Sequence, residues 1–74
     1  MNKERRKKIL DAINAIGKIE ALIQNILDDE QEAFDNMPEG LQTSENGIAS
    51  EEAQENLDSA IDALEEAISY LEEI

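Results

Sequence analysis

Seventy-four residues with a mass of 8.3 kDa make one small domain at most, a size at which a single core leaves only a few kcal/mol of net stability. Cysteine and histidine are both absent, which excludes disulfides, ordinary zinc sites and the Ser-His or Cys-His machinery of proteases. The net charge of −13 is unevenly spread: Lys3, Arg5, Arg6, Lys7 and Lys8 face only Glu4 within the first eight residues, net +4, whereas beyond them Lys18 stands alone against every other acid, net −17.

In chain order, the basic start comes first. From Lys3 to about Asp35 the apolar residues Ile9, Ile13, Ile16, Ile19, Ile23 and Ile26 recur at helical spacing, which predicts an amphipathic helix over 3–35. Pro38 ends it, because proline disfavours the α conformation at the residue before it and has no N–H to donate. Residues 36–49 read as a connecting loop, with Pro38-Glu39-Gly40 suited to a type I turn. Ser50 followed by Glu51 and Glu52 is a cap with acids in the first turn. It predicts a second helix over 50–73, carrying Leu57, Ile61, Leu64, Ile68 and Leu71.

The fold expected is all-α, an antiparallel helical hairpin in one domain, with position numbers across the pair summing to about 87. Ile26 then faces Ile61, Ile23 faces Leu64, Ile19 faces Ile68 and Ile16 faces Leu71. Residues 1–10 overhang, leaving Ile9 and Leu10 without an intrachain partner. Two helices cannot cover both flanks of stripes this wide, so the hairpin is expected to assemble as a homodimeric four-helix bundle or a higher oligomer. Ile9, Leu10, Ile13, Ile16, Leu57, Leu64 and Leu71 are its expected interface. No apolar run spans a membrane, and the basic N-terminus lacks the apolar core of a signal peptide.

Three groups of residues carry candidate chemistry. Lys3, Arg5, Arg6, Lys7 and Lys8 suit a phosphate or an acidic surface, or else pair with Glu65, Glu66, Glu72 or Glu73 of a neighbouring subunit. Duplex nucleic acid is not expected as a direct partner, since the remaining −17 repels it. Phe34, Asn36 and Pro38 belong to the segment "EAFDNMPEGLQTSENG", which either plugs the loop end of the core or adds a ligand platform. Asp28, Asp29 and Glu32 are expected opposite Glu55 and Asp58, a degenerate echo of the Mg²⁺ carboxylates of all-α nucleotide pyrophosphohydrolases, which they resemble. A solvated acidic face is the plainer reading of these five. Gly17, costly inside a helix, hints at close approach of a neighbouring helix or ligand.

Asn2-Lys3-x-Arg5-Arg6-Lys7, the Glu30–Gly47 segment with its Glu-Ala-Phe-Asp-Asn-Met-Pro-Glu core, and the stretch from Asn56 to Asp62 together resemble a group of very small, acidic, uncharacterised proteins of bacteriophages and mobile elements. The resemblance spans nearly the whole chain and carries no assigned active site. It implies a cytoplasmic protein of a bacterial host, without a cofactor, that opposes host defence by binding. Sequestration of an anionic, nucleotide-like ligand or of a host protein is the mechanism expected. Mimicry of DNA by the acidic side chains is the alternative, and a Mg²⁺-dependent nucleotide hydrolase is a third.

Overall fold

The computed structural model describes residues 1–74 and contains helices only. Helix α1 runs Lys3–Asp35, a short α2 Glu39–Gln42, and α3 Glu45–Glu72. Asn2 caps α1, its Oδ1 accepting from the Arg5 backbone N–H at 2.8 Å. Helices α1 and α3 pack antiparallel into a rod whose Cα positions span 58 × 15 × 12 Å. That thickness is two helices side by side, so each helix has one covered face. No helix is long and apolar enough to cross a membrane.

The connection is more helical than expected. Pro38 precedes α2 as its cap residue, and Ser44 caps α3 by accepting from the Gly47 N–H. The second helix thus starts at Glu45, five residues before Ser50, and the loop expected over 36–49 shrinks to the two short breaks around α2. Gln42 ties the corner together: its side-chain amide donates to the carbonyls of Phe34 and Met37, both at 3.2 Å. Ser50 is buried inside α3 and is no cap at all.

The covered residues of both helices alternate in steps of three and four. On α1 they are Ile9, Ile13, Ile16, Glu20, Ile23, Leu27, Glu30 and Phe34; on α3 they are Gly47, Ser50, Gln54, Leu57, Ile61, Leu64, Ile68 and Leu71, with Gly17, Ala53, Ala60 and Ala67 half-buried along the seam's edges. This is the repeat of a coiled-coil seam. Glu20 beside Glu65, and Ile13 in one cleft with Leu71, fix the register. Seam positions therefore pair in layers summing to about 84, three less than the periodicity suggested. The shift swings Ile19 and Ile26 out of the seam, where they are 49% and 47% exposed. The small residues of the corner explain it. With Gly47 and Ser50 at seam positions, the chain turns closely over Phe34 and Met37 and brings α3 in earlier.

Six of the seven residues expected at an oligomer interface lie in this intrachain seam: Ile9, Ile13, Ile16, Leu57, Leu64 and Leu71, all half-buried. Ile9 is also no longer unpartnered, because it shares a cleft with Leu71 and Ile74. Only Leu10 is exposed, at 61%.

Candidate functional site

The basic cluster occupies the first turns of α1, with Lys3, Arg5, Arg6, Lys7 and Lys8 all exposed. Cations at a helix N-terminus sit at the positive end of the helix dipole, an arrangement that costs a few tenths of a kcal/mol or more per charge. The same inversion appears at the adjacent end of α3, where Glu72 and Glu73 lie at a C-terminus. Neither cluster serves its own helix. The register sets Glu72 and Glu73 level with Ala12 and Asp11, one to two turns in from the cations, and of the two clusters Arg6 and Glu72 line one cleft.

That cleft, of about 420 Å³, is floored by Ile9, Leu10, Ile13, Leu71 and Ile74. A second depression on the same helix is lined by Lys3, Glu4, Arg6, Lys7 and Leu10. Arg6 and Leu10 belong to both. The end of the rod thus joins an apolar floor to a cationic rim, the pairing of surfaces that holds an anion carrying a flat or apolar body. Arg6 and Lys7 are legible in the sequence as charge. The floor is not, because it needs the tip of α3, sixty residues on, to lie beside Ile9 and Leu10.

Phe34, Asn36 and Pro38 are at the other end. Phe34 is half-buried in the seam, Asn36 is the C-cap of α1 and Pro38 precedes α2. Arg6 and Phe34 are about 42 Å apart along the helix at 1.5 Å per residue. One small ligand cannot touch both groups in one chain, so the candidate set divides into a basic end and a corner.

The acidic candidates do not converge. Asp28, Asp29, Glu32, Glu55 and Asp58 are each exposed, and no three acidic side chains of the chain form a group able to hold a metal ion. Asp28, Glu55 and Asp58 each follow a seam residue and share one broad face, whereas Asp29 lies on the other, and no three of the five come together. Gly17 is likewise not a point of close approach, since a Cβ there would meet nothing within 4 Å.

Two acids, Glu20 and Glu30, lie on the covered side, where hydrophobic periodicity does not place them. Glu20 stands at a seam position, its Oε1 closed off from solvent without a hydrogen-bond partner. Burial raises its pKa from the usual 4.5, and like-charge repulsion from the Glu65 carboxyl beside it raises it further. A carboxylate whose pKa is raised on folding binds more protons in the native state, so its ionisation opposes folding as pH climbs past 4.5 through the raised value. Glu20→Gln should therefore melt higher than the parent at pH 7, and the difference should close as the pH is lowered towards 4.5. Paired thermal melts across pH 4 to 8 (a working range of about four units) read this directly. A gap that widens on acidification would contradict it.

The molecule is, by fold and surface, an all-α helical hairpin with a basic, apolar-floored end and an acidic body. No family model, no curated protein and no solved structure matches the chain.

Proposed function

We propose that the chain is a non-catalytic binding protein that assembles with itself and sequesters a small anionic, nucleotide-like ligand at its basic end. The observation that carries this reading is the double membership of Arg6, which rims the apolar cleft and also the Lys3–Lys7 depression. A phosphate held by the cations leaves its attached base over Ile9, Leu10 and Ile74. The guanidinium can grip two phosphate oxygens at once, which an ammonium cannot. The cost of placing these cations against the helix dipole argues for a role other than helix stability. In the setting that the resemblance to phage proteins implies, such capture would blunt a host's nucleotide signal.

A second reading, mimicry of DNA, is favoured by Glu51, Asp58, Glu65 and Glu72, which repeat every seven residues along one exposed edge of α3. The two separate cleanly by calorimetry against mono- and cyclic nucleotides. Sequestration predicts binding without added metal, return of the nucleotide intact, and a loss of about tenfold or more (~1.4 kcal/mol) for Arg6→Gln. Arg6→Lys should fall between. Absence of heat with every nucleotide tested, from a protein shown to be folded, would refute capture. Salt-sensitive binding to a basic, DNA-binding enzyme would then support mimicry.

A further inference from the structure

Each helix carries a second apolar stripe, displaced from the seam by one residue towards its own N-terminus. On α1 it is centred on Ile19, Leu22 and Ile26, and on α3 on Ala60, Ala63 and Ala67. In an antiparallel pair, stripes displaced in the same sense within each helix fall on the same broad face. The opposite face is the one holding Gly17, Gln24 and Glu65. The hairpin is therefore two-sided, with one apolar face and one polar, acidic face.

We infer that a second copy of this chain covers the apolar face, with its two-fold axis parallel to the helices, so that both basic ends lie together. The inference rests on the self-assembly in the function proposed above and not on the ligand.

Area is the first argument. The chain exposes 5693 Å², whereas a compact monomer of its mass exposes about 4,600 Å². The excess, about 1,100 Å², exceeds the ~800 Å² that each partner gives to a standard interface. Only four of the 74 residues are buried, too few for a stable core without such cover.

Shape is the second. Rotation about an axis along the helices leaves height unchanged, so α1 of one copy meets α3 of the other in the same register as within the hairpin, at sums of about 84. Ile19, Leu22 and Ile26 then lie over Ala60, Ala63 and Ala67, large on small. Ala12 and Ala15 meet Tyr70, again small on large. Interdigitation of this kind is what a well-packed core requires.

Polarity is the third. Between Ala12 and Ala33 Asp29 is the one charged residue of the α1 stripe, and between Ala49 and Tyr70 Asn56 is the one amide of the α3 stripe. The shared register sets them at the same height, where the amide can donate to the carboxylate. Turning the second copy end over end instead puts Asp29 near Ala15 and stacks Leu22 on itself.

Two measurements test this. Light scattering should give twice 8.3 kDa. Leu22→Asp should halve the mass, whereas Leu41→Asp, at an equally exposed leucine outside the face, should not. Because Leu22→Asp can also unfold so small a chain, orientation is read independently in the otherwise parental protein. The chain has no cysteine, so Lys3→Cys carries a single nitroxide per copy. The two labels should lie about 20–30 Å apart, against about 60 Å for the end-over-end dimer. A single-chain mass, or a distance near the longer value, overturns the inference. Failure to bind nucleotide leaves both readouts untouched, so the two proposals fail separately.

Discussion

Ile61→Asp should unfold the hairpin outright. Ile61 and Leu27 are the two buried apolar residues of the chain, 6% and 5% exposed. Their layers adjoin midway along the seam, where Ile61 faces Ile23 and Leu27 faces Leu57. A carboxylate there loses the apolar transfer energy of the isoleucine, about 2–3 kcal/mol, and adds the penalty of an uncompensated charge. No cation is near enough to answer it, since Lys18 is the only one outside the basic end. A domain of this size has roughly 4–11 kcal/mol in all, and the lower part of that range suits so thin a core. Circular dichroism at neutral pH should show loss of most helical signal. A variant that keeps parental helicity and melts with the same cooperativity would mean that the seam is not what holds the rod together.

The second large effect is expected at the corner. A Cβ on Gly47 would overlap the backbone carbonyl of Gln42, which cannot swing aside as a side-chain tip would. The φ angle there is ordinary, so the requirement is one of space. Gly47→Ala must therefore push α2 away from α3, disturbing the Ser44 cap and the Gln42 bonds to Phe34 and Met37. Overpacking of a rigid contact costs about 1–3 kcal/mol, here with part of a cap added. Gly17→Ala is the matched control. Its Cβ enters open space, and the better helix former should raise stability by about 1 kcal/mol. Opposite signs for the two glycines in thermal melts are the expected result. A neutral Gly47→Ala would show that the corner yields.

These residues also explain what a reader of the sequence could and could not obtain. The extent of α1 is legible, because Asn2 and Pro38 bracket a long run of isoleucines at regular spacing. The start of α3 is not. Gly47, Ser50 and Gln54 occupy seam positions without being apolar, so a search for hydrophobic period begins only at Ala53 or Leu57. Ser50 then imitates a cap because two glutamates follow it. The register error has the same root. Without the corner in hand, Ile19 and Ile26 look as much like seam as Ile16 and Ile23, since each helix carries two stripes one residue apart. The depth of Leu27 and of Glu20, a polar residue on the covered side, shows which stripe faces inward. The basic end was visible as charge, whereas its apolar floor depends on contacts between residues far apart in sequence.

The corner has a kinetic meaning as well. Two helix starts in quick succession, after Pro38 and at the Ser44 cap, bring α1 and α3 together through the short connection over 36–44, a loop that costs little to close. Contacts farther along the seam join residues ever more distant in sequence, so the rod closes like a zipper from the corner outward. The last teeth to meet are Ile9 and Ile13 with Leu71 and Ile74, and they are the first to part. The cleft beside Arg6 is therefore built where the molecule opens most readily. A ligand seated there acts as a clasp on the zipper, tightening the whole rod by holding its loosest end.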